Sequence, residues 1–415
     1  MRREKACFLP KIHVFYGVII QKITVIFGVL VQKTYLCKSK MKIYRTYQDL
    51  GRYLKPEKVL VILGPRQVGK TTLLEGFLKK TSLKTKKVTG DDLAVHSVLG
   101  SRSLKEIRSF VEGYELIAID EAQKIPHIGL GMKLMVDHIP GIQVIATGSS
   151  SFELAGQVGE PLTGRKTTLM LYPVAQMEMA RHLNRFELKE SLEEFLVYGA
   201  YPAVITAGTR DEKARLLREL TGAYLFKDIL EFERIKSPQL LLDLLRLLAF
   251  QTGSEVSVNE LSQNLKVDNK TVKRYLELLE KSFIIFSLRG FSRNLRKEIS
   301  KKAKYYFYDT GILNAVIANF NPLSHRNDAG RLWENFLVME RLKKQAYTSL
   351  FANNFFWRTW SGKEVDFVEE RGGKLFGYEF KWGAKNSRPP RLWLDTYPEA
   401  SWKVVDRSNY LDFIL

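Results

Sequence analysis

Val59-Leu60-Val61-Ile62-Leu63-Gly64-Pro65-Arg66-Gln67-Val68-Gly69-Lys70-Thr71-Thr72 is the stretch that decides how this chain folds. Its first five residues form an unbroken apolar run rich in β-branched side chains, which predicts a strand buried on both faces. The next eight match the spacing G-x-x-x-x-G-K-[ST]. Glycines at 64 and 69 let the backbone wrap closely, so that its N–H groups face phosphate oxygens. The N-terminus of a following helix adds partial positive charge at the same place. That helix is expected from Thr72-Leu73-Leu74-Glu75-Gly76-Phe77-Leu78, which has an apolar face. A strand before the motif and a helix after it separate a phosphate-binding loop from a chance match.

These residue types assign roles. Gly64, Pro65, Arg66, Gln67, Val68, Gly69, Lys70, Thr71 and Thr72 form the predicted ATP-binding loop. Lys70 reaches the β- and γ-phosphates, and the Thr71 hydroxyl is a ligand for Mg²⁺. Downstream, Glu115-Leu116-Ile117-Ala118-Ile119-Asp120-Glu121 reads as an apolar strand ending in two carboxylates. Asp120 is the expected Mg²⁺ holder, and Glu121 the group that polarises the attacking water. A third strand, Ile142–Ala146, runs into Thr147-Gly148-Ser149-Ser150-Ser151. Thr147 and Ser149 are either contacts to the γ-phosphate or the reacting water, or helix-capping hydroxyls. Arg66 and Arg165 are either stabilisers of transition-state charge or members of structural ion pairs. Strands and helices alternate over residues 55–175, which predicts a parallel α/β sheet with its site at the carboxyl ends of the strands.

The run from Gly64–Thr71 through Ile119-Asp120-Glu121-Ala122-Gln123 to Thr147-Gly148-Ser149-Ser150 and Tyr172-Pro173 resembles one prokaryotic AAA+ family, ATPases that carry a characteristic C-terminal domain of unknown function. The resemblance covers about residues 42–415. It implies an AAA+ fold, ATP and Mg²⁺, and supplies no settled biological role.

Beyond the ATPase core, expected at 41–175, residues 176–238 read as a helical lid or linker, with Tyr224–Leu230 resembling a family motif. Residues 239–290 read as a winged helix. Leu240–Phe250 is an apolar helix, Ser257 caps a second, and Asp268-Asn269 cap a third that begins Lys270-Thr271-Val272-Lys273-Arg274. Ser282–Leu288 is the expected wing strand. Basic residues at the start of a recognition helix are where such a motif touches DNA; a packing module is the other reading. Arg289, Arg293, Arg296, Lys297, Lys301, Lys302 and Lys304 follow with one acid, Glu298, and suit phosphate contacts or a solvated loop.

Residues 291–415 are expected to form a C-terminal α/β domain. Two strands, Glu364–Glu370 and Lys374–Trp382, flank Gly372-Gly373. A two-residue hairpin turn there sets Asp366 opposite Glu379 and Glu364 opposite Lys381. Asp366 and Glu379 so placed repel unless a cation sits between them; with Lys381 on the same face and Glu334 supplied by a helix, they form a candidate metal site. Asp366…Glu379-Phe380-Lys381 resembles the PD-(D/E)XK nuclease pattern, although Val365 stands where that pattern has proline. The alternative is a relic in which Lys381 simply pairs with Glu364. The expected architecture is therefore an AAA+ P-loop NTPase domain, a winged helix and a restriction-endonuclease-like domain.

Composition narrows the partners. The 415 residues hold 65 Lys and Arg against 45 Asp and Glu, a net charge of +20 that favours a polyanion such as DNA. Residues 1–40 hold eight of the basic residues and one acid, which leaves +13 for the remainder. In that stretch an apolar run, Val14–Val31, is broken by Gln21, Lys22 and Thr24, which argues against a membrane span. It reads as an upstream start-site artefact, a genuine extension or a peripheral anchor. Cys7 and Cys37 are the two cysteines, so no disulfide framework or cysteine zinc site exists after Met41, and a cytoplasmic setting is expected. The partners expected are ATP and DNA, with a homo-oligomer compatible. An ATPase acting on DNA through its C-terminal half stands against a signalling or scaffold ATPase whose C-terminal half binds protein.

Overall fold

The computed structural model of the chain describes residues 43–149, 162–224, 237–292, 303–359, 361–383 and 388–415. The apolar run at 14–31, both cysteines, Ser150, Ser151, residues 225–230 of the Tyr224–Leu230 motif, and Arg293, Arg296, Lys297, Lys301 and Lys302 lie outside them.

Five strands build the first sheet: β1 (Val59–Leu63), β2 (Thr85–Thr89), β3 (Leu116–Asp120), β4 (Gln143–Gly148) and β5 (Lys166–Met170). Their order is β2-β3-β4-β1-β5, with every pair parallel. Side chains alternate across it, as the two-residue period of a strand requires. Leu60, Ile62, Leu116, Ala118 and Ile145 pack on one face with Leu73, Leu74 and Phe77 of the Lys70–Leu78 helix. Val59, Val61, Ile117, Ile119 and Val144 pack on the other with Val95, Leu99, Ile107 and Met132. A sheet covered on both faces needs strands apolar on both, which is what β1 and β3 supply.

Five helices between Gln176 and Glu219 follow β5. Then come the Pro238–Phe250 helix, β6 (Glu255–Val256), the Val258–Leu265 and Asn269–Lys281 helices, β7 (Ile285–Gly290) and β8 (Ala303–Phe307). Ser257 and Asp268 cap their helices by accepting the Glu260 and Thr271 N–H groups. Lys270, Lys273 and Arg274 are exposed on the second of these helices. The last strands are β9 (Asn353–Arg358), β10 (Glu364–Arg371), β11 (Lys374–Phe380) and β12 (Ser401–Val405). All seven from β6 onward join in one sheet of order β12-β11-β10-β9-β7-β8-β6. The boundary expected at 290/291 therefore falls inside a sheet, between β7 and β8, which pair antiparallel.

The Ala329–Thr348 helix packs on this sheet and ties the chain together. Its Arg341 forks onto both oxygens of fully buried Glu369, at 2.5 and 2.9 Å. Its Glu340 accepts the Gln176 N–H at 2.6 Å and pairs with Lys343, which also donates to the Val174 carbonyl. The bonds to Gln176 and Val174 fix the helix against the segment leaving the first sheet. Among the described residues, no helix is long and apolar enough to cross a membrane.

Candidate nucleotide site

The loop after β1 is built as its glycines require. Gly69 sits at φ 95°, and a Cβ on Gly64 would stand 2.0 Å from the Leu171 carbonyl oxygen. No other residue fits at 64, because the loop presses directly on the backbone after β5. Lys70, 4% exposed, donates to the Gly64 and Pro65 carbonyls at 2.9 and 2.8 Å, which holds its ammonium across the loop. The Thr71 hydroxyl donates to Asp120, with oxygen distances of 2.9 and 3.2 Å. β1 and β3 are not neighbours, since β4 lies between them. Their carboxyl ends nevertheless bring the hydroxyl and the carboxylate together.

Glu121 follows at φ 50°, ψ 44°, a left-handed conformation that costs a non-glycine residue about 1–3 kcal/mol. Its neighbours hold it there. The Thr147 hydroxyl accepts the Glu121 N–H at 3.1 Å and donates to Asp120. The Gln123 amide donates to a Glu121 carboxylate oxygen at 2.5 Å and to Ser149 Oγ at 3.0 Å. Gln123 is 2% exposed, and its own carbonyl has no partner among the described residues.

Most of the sequence-predicted residues thus converge: Gly64 to Thr72, Asp120, Glu121, Thr147 and Ser149 share one end of the sheet. Arg66 is half-buried in the loop, and its charge helps to hold the Asp91 carboxyl below its usual range, behind the larger effect of Lys124. Of the two roles open to Arg165, the structure sets it in an ion pair away from this chain's loop. Its carbonyl accepts the Val59 N–H at the opposite end of β1, and its guanidinium pairs with Asp137. A five-residue strand, roughly 16 Å long, separates it from this chain's own loop.

Arg45 has no counterpart in the sequence reading. Its buried guanidinium donates to the Val68 carbonyl in the loop at 2.5 Å and to the Tyr172 carbonyl at 2.6 Å. It also meets Glu178 at 3.1 Å and the Tyr347 hydroxyl of the long C-terminal helix at 3.4 Å. Burial alone would lower its pKa, but Glu178 and then Tyr347 overcome this and hold it above its usual value. Beside the loop, a cavity of about 350 Å³ is lined by Ile43, Gln48, Gly69, Thr72, Pro202 and Thr206 among others. The hard oxygen donors at Thr71 and Asp120, the glycine cradle and the buried lysine fit Mg²⁺ and a triphosphate.

The second predicted site is arranged differently. The hairpin register is as expected, with Phe367 opposite Tyr378 and Arg371 opposite Lys374. Beyond Phe367 the Asp366 carboxylate accepts the Phe380 N–H at 2.8 Å. Lys381 pairs with Glu379 at 2.5 Å, while Glu364 pairs with Lys304. The Glu364–Lys381 pairing expected for a relic is replaced by these two. Burial, then Glu334 and Glu379, push the Asp366 carboxyl far above its usual range. Burial raises Glu334 as well, against the opposing pull of Lys304. Among the described residues, no group of three or more His, Cys, Asp or Glu side chains is arranged to hold a metal ion.

Three segments of the chain match known protein families. Residues 56–180 match the AAA domain family, residues 189–323 a domain of unknown function (DUF8612), and residues 329–392 another (DUF4143). An uncharacterized protein of Mycobacterium tuberculosis is 27% identical over 338 residues, which are 80% of this chain and 72% of that protein. An uncharacterized protein of Methanocaldococcus jannaschii is 25% identical over 341 residues, 77% of this chain and 74% of its own. The solved structure of AMPPCP-bound DnaA from Aquifex aeolicus aligns over 57% of this chain and 84% of its own, at 17% identity. Its TM-score of 0.23 is too low to bear on the fold. The residues matched by the AAA domain family, 56–180, thus carry the parallel α/β sheet and the glycine loop of a P-loop nucleotide-binding fold.

Proposed function

We propose that this chain binds and hydrolyses Mg-ATP at the end of its first sheet, and that the nucleotide controls a C-terminal half that binds DNA. The observation that carries the first part is the meeting of Thr71 and Asp120 at 2.9 Å beside the Lys70 loop. In this reading the Thr71 hydroxyl and Asp120 hold Mg²⁺, which when bound neutralises phosphate charge. Loop N–H groups and Lys70 orient the β- and γ-phosphates. Glu121, oriented by Gln123 and Ser149, takes a proton from the attacking water. The cavity beside the loop, at about 350 Å³, is of a size to take the nucleoside. Arg165 lies remote from this chain's loop, so any part it plays in hydrolysis requires a second copy.

Coupling runs through Arg45, which contacts the loop carbonyl of Val68 and Tyr347 of the C-terminal helix with one guanidinium. A shift of the loop on binding phosphate changes both contacts. For the DNA-binding part, the succession of the Val258–Leu265 and Asn269–Lys281 helices and strands β6 to β8 supports a winged-helix reading. Exposed Lys270, Lys273 and Arg274 suit a phosphate backbone. Phosphate release measured with and without duplex DNA tests the reading, and faster release with DNA is expected. In anisotropy titrations over a salt series, Lys270→Ala, Lys273→Ala and Arg274→Ala together should lower the salt slope by about one for each phosphate no longer neutralised. No binding at low salt and an ATPase indifferent to DNA would refute this part and leave a protein partner in its place.

A further inference from the structure

The cavity beside the nucleotide loop has one wall that the fold itself leaves bare. Gly69, Thr72, Gly76 and Lys80 recur every three or four residues, so they share one face of the Lys70–Leu78 helix and its ends, and all four line the cavity. The other walls come from Ile43, before the residues that match the AAA domain family, and from the Pro202–Thr206 helix, after them.

Gly76 lies in the middle of the bare face, and the chain's own packing gives it no reason to be glycine. Its backbone is helical, so no left-handed turn requires it. Beyond its chain neighbours and the helix backbone, a Cβ built on it would meet no described atom within 4 Å. Glycine inside a helix nonetheless costs backbone entropy that alanine does not. The space a side chain would take there is cavity.

The place of this face beside the loop says what the space suits. From Gly69 to Gly76 the helix rises about 10 Å. The face therefore starts at the phosphate loop and continues past what phosphates alone occupy. The cavity measures about 350 Å³, and its walls are largely apolar, with Ile43, Leu73 and Pro202 among them and Gln48 adding an amide. A pocket of that size and character takes a flat heterocycle.

We infer that Gly76 is the residue on which the nucleobase packs, and that its missing side chain makes this a site for nucleoside triphosphates instead of polyphosphate alone. The assignment rests on the Lys70 loop being the phosphate site. Gly76 is then a specificity-determining residue. A base seated there touches both the loop helix and the Pro202–Thr206 helix, and so joins the AAA domain match to the segment that follows it.

Calorimetric titrations of the full chain in Mg²⁺, with ATP and with inorganic tripolyphosphate, test this on the wild type, Gly76→Ala and Gly76→Leu. The wild type should bind ATP more tightly than tripolyphosphate. Gly76→Leu should lose about tenfold or more in ATP affinity, the effect of overfilling a packed site, and keep its affinity for tripolyphosphate. Gly76→Ala should melt about 1–2 °C above the wild type, because alanine is the better helix former. A lower melting point for Gly76→Ala would show that the fold needs this glycine and would overturn the inference. So would Gly76→Leu that holds ATP as tightly as the wild type, or that loses ATP and tripolyphosphate equally. If Gly76→Leu does not fold, Ala203→Leu fills the same cavity from the Pro202–Thr206 helix and carries the same expectations. A wild type that binds neither ligand would bring down the nucleotide reading itself, and the role of Gly76 with it.

Discussion

Lys70→Ala weakens ATP binding by roughly 10²-fold or more and takes phosphate release to background. A hydrogen bond to a charged group contributes about 1.5–3 kcal/mol, and each 1.4 kcal/mol is tenfold in affinity. Lys70 is suited to a large effect because it is nearly buried and held in place by the Gly64 and Pro65 carbonyls, so little rotamer freedom is lost when it meets phosphate. Alanine is a good former at the first position of the Lys70–Leu78 helix, so the fold should survive. Titration with a fluorescent ATP analogue, beside a thermal melt, separates loss of binding from loss of folding. Unchanged affinity in a folded variant would refute the role given to this lysine.

Glu121→Gln is expected to do the opposite kind of damage. Binding stays near the wild-type value while single-turnover hydrolysis falls by about 10²–10⁴-fold, the usual contribution of a positioned general base. The substitution keeps the shape of the side chain, and the amide oxygen can still accept from Gln123, which now donates to the carboxylate at 2.5 Å. The left-handed backbone and the Thr147 hydroxyl bond to the 121 N–H are untouched. Only the ability to take a proton from water is lost. Hydrolysis at the wild-type rate would move the base to another residue.

Much of this was legible in the sequence where one segment carries its own signal. β1 spans Val59–Leu63, the residues of the apolar run. The helices capped by Ser257 and Asp268 begin where those residues predict. Gly372 and Gly373 both adopt positive φ, at 56° and 75°, and so fix the hairpin register. Edge elements were not legible. β2, Thr85-Lys86-Lys87-Val88-Thr89, is half exposed and shows no apolar run. β12 lies at the rim of its sheet with a similarly mixed pattern.

Long-range polar contacts were the other gap. Arg45 meets Glu178 across 133 residues, and Lys304 meets Glu364 across 60. No local spacing announces either pair. Gln123 lies in the Asp120-Glu121-Ala122-Gln123 segment, yet only the fold reveals that its amide reaches Ser149. Arg165 belongs to the same gap: its residue type beside a strand left two roles open, and only the fold sets it at the far end of β1 in a pair with Asp137.

Calorimetric titration with ATP, in Mg²⁺ and in EDTA, on the wild type and on Asp120→Asn, tests most directly whether the glycine loop and the acid on β3 share one ligand. Tighter binding with Mg²⁺ in the wild type, and loss of that gain in Asp120→Asn, is the result predicted. An Mg²⁺ gain that survives in Asp120→Asn would contradict the account.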